Sequence, residues 1–314
     1  MVSSGACNWQ RNLSCIVKIT AAANTPKETK TERCEMPELP EVETIRLVLE
    51  QYLPGHKIET IHLNRPKMLR GQSQRSFREG LMQREIKGAD RRGKFLLIRL
   101  DKGTLLIHLG MTGQIFYLAA GQAHPDNLPI LPDKHTHLAL DLSDNNRLYF
   151  RDIRMFGRFA YLDKSDEQEL FKRLGPEPLS SQFTSAKLYL ALKNRTATIK
   201  ALMLNQSLVA GLGNIYADES LFRAGMLPHT PGGKLTQEQI KRLHRSIRKV
   251  LNEAIYRGGT SISDYVDPRH RKGTFQLVLG VYGREGKPCL KCRTLIKKDV
   301  VAQRGTHWCP RCQK

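Results

Sequence analysis

Four cysteines near the C-terminus constrain this chain more than any other feature. Cys289 and Cys292 form one Cys-x-x-Cys pair, and sixteen residues later Cys309 and Cys312 form a second. Two such pairs bring four soft thiolates to one tetrahedral ion, and in so short a segment metal binding and folding become one event. Zinc is the default ion, and a full sulfur shell leaves no open position, so the site is structural. Four free or redox-active thiols are the other reading of this spacing. His307 lies close enough to compete as a ligand, although the cysteines already fill the shell. Between the pairs, Val300-Val301 and the turn-forming Arg304-Gly305 read as a two-stranded ribbon. Arg304 is expected near its tip with Lys297 and Lys298 behind it, a cation group suited to phosphate.

Charge narrows the partner. Lys and Arg number 51 against 30 Asp and Glu, a net +21 over 314 residues. The excess is spread over residues 64–102, 150–200, 233–257 and 268–314, and no single amphipathic basic helix dominates it. A polyanion is implied, and nucleic acid fits this distribution better than a membrane surface. No apolar run approaches a membrane span. The remaining cysteines, Cys7, Cys15 and Cys34, lie far from the C-terminal four. That is not a disulfide framework, and it points to the reducing cytosol.

Residues 1–35 are rich in Ser, Asn, Thr and Ala, and their one apolar stretch, Leu13 to Ile19, is broken by Lys18. This is a poor signal peptide. The segment is expected to be disordered or absent from the working protein. At residue 37 a helix signal begins. Pro37 and Pro40 suit a first turn, Glu38, Glu41 and Glu43 favour the positive end of the dipole, and Val42, Ile45, Val48, Leu49, Tyr52 and Leu53 follow at helical spacing. Apolar runs Lys94–Leu100 and Thr104–Leu109 flank Asp101-Lys102-Gly103, a hairpin signal; His137–Leu142 alternates and Ser143–Asn146 turns the chain into Arg147–Phe150. Residues 37–170 therefore read as an antiparallel sheet domain headed by a helix, and 171–185, with Gly175-Pro176-Glu177-Pro178, as a linker. Helical patterns follow over Ala197–Asn205, Asn214–Ala224 (closed by Gly225) and Thr236–Tyr256, giving a helical domain over 186–283 and the cysteine module over 284–314.

Several motifs allow two readings. In Gln206–Glu219, Gly211 and Gly213 precede a helix whose free N–H groups, with Asn214 as cap, suit a phosphate; the same glycines could serve only a tight inter-helix turn. Lys94 ends a basic run and could be a solvated charge. Met111, between Gly110 and Gly113 at a strand end, is a core methionine or a wedge that fills the void left by an extruded nucleotide. His135, in Lys134-His135-Thr136-His137, is a strand histidine or a ligand contact.

Met36-Pro37-Glu38-Leu39-Pro40-Glu41 resembles the N-terminus of the formamidopyrimidine-DNA glycosylase family, and Gln303–Lys314 looks like that family's zinc-finger ending. With Gln206–Glu219 similar to its helix-two-turn-helix element, the resemblance runs in order over residues 36–314. It implies an α+β multidomain fold: an N-terminal antiparallel β-sandwich with flanking helices, a helix-two-turn-helix domain, and a zinc-finger β-ribbon holding one structural Zn2+. It further implies a monomeric, cytoplasmic, bifunctional DNA glycosylase/AP lyase of base excision repair, acting on double-stranded DNA with oxidised purines or abasic sites. Carried over residue by residue, Pro37 is the nucleophile and Glu38 the general acid/base, while Lys94 and Arg304 hold phosphates and assist the eliminations. Met111, Arg154 and Phe156 fill the void beside the orphaned base, and His135, Arg195, Lys200 and Asn214 bind DNA. The stretch from Gly258 to Gln276 resembles the loop over the flipped base.

The chemistry of Pro37 is distinctive. A secondary amine condenses to an iminium ion whose charge cannot be shed by deprotonation, which favours β- and then δ-elimination. An internal proline has no amine, so the active form is expected to begin at Pro37. Leu39 and Met111 favour the purine branch over endonuclease VIII-type enzymes, which prefer oxidised pyrimidines. A non-catalytic zinc-ribbon damage-binding protein is the other alternative, and it leaves the joint occurrence of Pro37, Glu38, Lys94, Met111, Arg154, Phe156 and Arg304 unexplained.

Overall fold

The first helix forms where its end groups are already satisfied. In the computed structural model, which describes residues 36–121, 129–262 and 264–314, α1 spans Leu39–Tyr52 behind an extended Glu38 and has Pro40 in its first turn. Proline is tolerated there because first-turn N–H groups have no helical acceptor. The expectations for residues 1–35, with Cys7, Cys15 and Cys34, lie outside the described residues.

Eight strands follow: β1 (Ile58–Leu63), β2 (Ile86–Arg92), β3 (Phe95–Leu100), β4 (Thr104–His108), β5 (Gly113–Leu118), β6 (Thr136–Leu142), β7 (Arg147–Asp152) and β8 (Arg158–Leu162). They pair antiparallel in two four-stranded sheets, ordered β1-β6-β7-β5 and β2-β3-β4-β8. One apolar cluster joins Ile61, Leu140 and Phe150 of the first sheet to Leu96, Ile107 and Phe159 of the second, with Val42, Ile45 and Leu49 of α1. Phe150 and Phe159, one from each sheet, meet edge-on at 4.7 Å between ring centroids. Helices α2 (Gln74–Leu81) and α3 (Lys164–Phe171) flank the sheets.

By its contacts the described chain forms two units, the first running to Arg173 and taking in Gly258–Gly273, the second comprising Leu174–Arg257 and Thr274–Lys314. The sequence reading draws one unbroken helical domain over 186–283. Instead, residues 258–273 pack with the first unit, because Tyr265 is 7% exposed within its core and its hydroxyl donates to the Glu41 carbonyl at 3.3 Å.

The second unit holds α4 (Ser185–Leu192), α5 (Ile199–Leu204), α6 (Asn214–Ala224) and α7 (Gln237–Tyr256). Thr184, Thr198 and Thr236 cap α4, α5 and α7 by accepting N–H groups of the first turn. At α6 the cap position is taken by Gly213, and Asn214 is the first helical residue, which releases its side chain for other contacts. Strands β9 (Lys297–Val301) and β10 (Arg304–Trp308) form the ribbon. Its turn is Ala302-Gln303, both left-handed at φ +50° and +59°, rather than the expected Arg304-Gly305. Arg304 and Gly305 pair in the ladder with Val301 and Val300, which moves the reversal back by two residues.

Candidate active site

The head of α1 is fixed by a buried carboxylate. Glu38 and Glu41 form a capping box, and each is 2% exposed. Glu41 Oε2 accepts the Glu38 N–H at 2.9 Å, and its Oε1 accepts the Thr260 N–H at 2.7 Å. Gly259 permits this approach: it is left-handed at φ +84°, and a Cβ there would lie 2.9 Å from Glu41 Oε1. The peptide joining Pro37 to Glu38 is therefore tied through one side chain to the returning segment 258–273.

Lys94 is delivered by the β2–β3 hairpin, whose turn holds Gly93 at φ +57°. Arg91 links this hairpin to α1, its Nε donating to Glu43 Oε2 at 2.8 Å and a terminal N–H to the Gly93 carbonyl at 3.0 Å. Across the ladder from Phe95 stands His108, 2% exposed, with ring centroids 5.1 Å apart. Burial, and then the positive charges of Lys94 and Arg158, push the His108 pKa down to about 3, so it is neutral at ordinary pH. Its Nδ1 accepts the Gly110 N–H at 3.1 Å, which leaves the proton on Nε2. That N–H has no partner among the described residues. Neither Arg91 nor His108 has a distinct sequence signature, although His108 stands three residues before Met111 in His108-Leu109-Gly110-Met111-Thr112-Gly113.

Two loops carry Met111, Arg154 and Phe156, and Asp152 joins them. Fully buried, Asp152 accepts the Thr112 hydroxyl at 2.5 Å, the Arg154 N–H at 3.2 Å and the Gly157 N–H at 2.7 Å. Gly110, at φ +67°, lies so close to the second loop that a Cβ would sit 2.6 Å from Gly157 N. Above this base Arg154 and Phe156 are exposed, the guanidinium carbon 5.1 Å from the ring centroid, and Met111 is half-buried. His135 is half-buried beside them, its carbonyl accepting the Asp152 N–H at 2.9 Å.

In the second unit the named residues separate into two kinds. Arg195 is exposed, with its carbonyl accepting the Gly233 N–H at 2.8 Å. Lys200, by contrast, is 0% exposed: its Nζ lies 2.6 Å from Asp218 Oδ1 and donates to the Gly305 carbonyl at 3.0 Å and to Thr306 Oγ1 at 2.8 Å. Asn214 donates its side-chain N–H to the same Gly305 carbonyl at 3.0 Å. Its buried Oδ1 has no partner among the described residues. Arg304, half-buried, opens β10 beside these contacts. Glu219, fully buried, accepts the N–H groups of Gly280, Val281 and Tyr282 at 2.9 Å each; burial pushes its carboxyl pKa up while these donors oppose the shift.

The sulfur atoms of Cys289, Cys292, Cys309 and Cys312 all lie within 4.8 Å of one another. A tetrahedron with Zn–S bonds of about 2.3 Å has S···S edges of about 3.8 Å. Here Cys289–Cys312 is 3.9 Å and Cys292–Cys309 is 3.4 Å, so the donors fit one zinc ion. The Lys291 N–H points at Cys289 Sγ and the Cys312 N–H at Cys309 Sγ, both at 3.4 Å, as the outer shell of a thiolate site requires. His307 is not a member of this group; its ring packs at 4.9 Å against Tyr282.

Three family models match the chain in order: the formamidopyrimidine-DNA glycosylase N-terminal domain over residues 36–159, the H2TH domain of the same enzymes over 174–266, and the zinc finger found in FPG and IleRS over 286–314. The chain is 42% identical to the formamidopyrimidine-DNA glycosylase of Geobacillus kaustophilus over 89% of its own length and 100% of that protein's. It is 46% identical to that of Chloroflexus aurantiacus, covering 88% and 98%. Among solved structures it resembles a Lactococcus lactis Fpg mutant in complex with Fapy-dG-containing DNA (TM-score 0.80, 36% identity, 88% of this chain and 100% of that one). It also resembles Fpg of that organism in complex with abasic-site DNA (TM-score 0.79, 35% identity, 88% and 99%).

Proposed function

Because the chain belongs to the formamidopyrimidine-DNA glycosylase family, we propose that Pro37, as the first residue of the working form, is the nucleophile of a DNA glycosylase/AP lyase that excises oxidised purines in base excision repair. The Pro37 amine attacks C1′ of the flipped nucleotide while Glu38, shielded from solvent, protonates the sugar ring oxygen. The base leaves and an iminium ion remains. Loss of a C2′ proton then breaks the C3′–O bond, and loss of a C4′ proton breaks the C5′–O bond. Lys94 and the Nε2–H of neutral His108 supply donors for a phosphate. The loops anchored on Asp152 present Met111, Arg154 and Phe156 to the void and the orphaned base, with His135 alongside. In the second unit, Arg195, Asn214 and Arg304 serve the DNA backbone. One zinc ion folds the finger; it takes no part in a reaction step. Among the described residues no helix is long and apolar enough to cross a membrane. The relatives are bacterial proteins, and the working place proposed here is the cytoplasm, on chromosomal DNA.

The observation that carries this reading is the Glu41 carboxylate, which spends both oxygens on fixing the Pro37–Glu38 end of the chain and the segment at Thr260. The test uses protein beginning at Pro37 and duplexes with 8-oxoguanine opposite cytosine, thymine glycol, or an abasic site. Expected are faster excision of 8-oxoguanine than of thymine glycol and a borohydride-trapped adduct. Replacing Glu38 by Gln should lower excision by about 10²–10⁴-fold. A clear preference for thymine glycol would assign the pyrimidine reading, and tight DNA binding without excision would assign a damage-binding protein.

A further inference from the structure

Lys200 stands where a DNA-contacting cation was expected, yet its side chain is fully buried and so is that of Asp218. A buried ion pair contributes little net stability over an apolar pair of the same volume, so its presence calls for a role in geometry. The partners show which geometry. The Lys200 ammonium lies 2.6 Å from Asp218 Oδ1 and donates to the Gly305 carbonyl and to Thr306 Oγ1. The Thr306 hydroxyl passes the contact on by donating to the Arg304 carbonyl at 3.0 Å. The other Asp218 oxygen accepts the His307 N–H at 2.8 Å. Asn214 adds a second donor to the Gly305 carbonyl. Residues 305 to 307 are thus each gripped from α5 or α6, and Arg304 is tied to them through the Thr306 hydroxyl, next to a turn whose two central residues are left-handed without being glycine. Such a turn does not by itself hold one conformation, since left-handed backbone at a non-glycine residue costs about 1–2 kcal/mol.

We infer that the Lys200–Asp218 pair is a positioning device for Arg304, setting the register of β10 so that the guanidinium meets the phosphate leaving in the second elimination. In that step C4′ gives a proton to a carboxylate or solvent base, a C4′=C5′ double bond forms, and the C5′–O bond breaks with its electron pair leaving on the phosphate. The inference rests on the role proposed above for Arg304.

The test is the product distribution from an abasic-site duplex in single turnover, with protein beginning at Pro37 and loaded with zinc. Replacing Lys200 by Met together with Asp218 by Asn removes both charges and strands neither, and the asparagine oxygen can still accept the His307 N–H. Borohydride trapping and the first strand cut should stay within about twofold of the parent. The second cut should slow at least tenfold, so that the unsaturated 3′-aldehyde accumulates in place of the 3′-phosphate. Should the double variant lose zinc, the isosteric Thr306→Val substitution keeps the ion pair and removes the hydroxyl that joins Lys200 to the Arg304 carbonyl, and a slowing of at least threefold confined to the second cut is expected. An unchanged ratio of the two cuts, or equal slowing of both, would overturn the inference. Arg304→Ala separates the two levels. If it slows the second cut while the Lys200 and Thr306 variants do not, the inference alone fails. If it leaves the second cut intact, the role of Arg304 fails and takes the inference with it.

Discussion

Replacing Glu41 by Gln probes the structure at the point where one side chain serves two backbone donors. The carboxylate accepts the Glu38 N–H at 2.9 Å and the Thr260 N–H at 2.7 Å, and the residue is 2% exposed. Each such charge-assisted bond contributes about 1.5–3 kcal/mol net. Glutamine keeps one acceptor oxygen, so one bond survives in weaker, neutral form. The side-chain NH2 then faces the other N–H, and that buried donor is left unsatisfied at about 1–3 kcal/mol. Together the change costs about 3 kcal/mol, or about 6–12 °C in Tm for a unit of this size. The functional loss should exceed the loss of stability. With the Pro37–Glu38 end no longer fixed, single-turnover excision of 8-oxoguanine at a temperature well below Tm should fall at least tenfold, while DNA affinity measured by gel shift stays within about threefold. A Glu41→Gln protein that melts within 2 °C of the parent (about 1 kcal/mol or less) and excises at the parental rate would refute the argument that this carboxylate organises the site.

Other outcomes follow from the same geometry. His108 is neutral because burial, with Lys94 and Arg158, lowers its pKa to about 3. Unfolded histidine takes up a proton near 6.5, so between those values the unfolded state binds more protons and stability falls as pH falls, by up to about 1.4 kcal/mol per pH unit. Urea unfolding at pH 7 and pH 5 should therefore show a smaller acid loss in His108→Gln than in the parent, and equal losses would contradict the assignment. Gly110→Ala places a side chain on a left-handed residue at φ +67° and 2.6 Å from Gly157 N. It should destabilise by at least about 1–2 kcal/mol and impair excision more than abasic-site cleavage; parental thermal stability would remove the close-approach argument. Cys289→Ser should release the bound zinc, reduce the stoichiometry from one per chain toward zero, and weaken duplex binding at least tenfold. Retained affinity without zinc would show that the finger does not need its ion to engage DNA.

Local signals made much of the chain legible. Helix α1, the β3–β4 hairpin, the close of α6 at Gly225 and the inward face of α7 all follow from periodicity, caps and glycine within a few residues of the element they define. The four cysteines declared their cluster by spacing alone. What sequence could not show depends on partners far along the chain. Glu41 meets Thr260 across 219 positions and Lys200 meets Thr306 across 106, so neither the clamp on α1 nor the burial of Lys200 has a local signature. Asp152 reads as an ordinary strand-end carboxylate until its bond to Thr112, 40 residues earlier, shows that it joins two loops. The segment 258–273 reads as a polar continuation of the helical region because the contacts that reveal its core, Thr260 and Tyr265 on Glu41 and Val266 among Phe116, Ala139 and Tyr149, lie more than a hundred residues away in the chain. In the finger, Gly305 attracted the turn, but ladder register placed the reversal at Ala302-Gln303.

The central claim is that the amine of Pro37 forms the covalent intermediate, and mapping the trapped adduct tests it most directly. Protein confirmed by intact mass to begin at Pro37 is incubated with 8-oxoguanine duplex and borohydride, digested, and sequenced by tandem mass spectrometry. The account predicts a single DNA-linked peptide carrying its modification on the Pro37 nitrogen, and no adduct when the same chain begins at Met36. An adduct on Lys94 or another lysine, or an equally efficient adduct from the chain that begins at Met36, would contradict it.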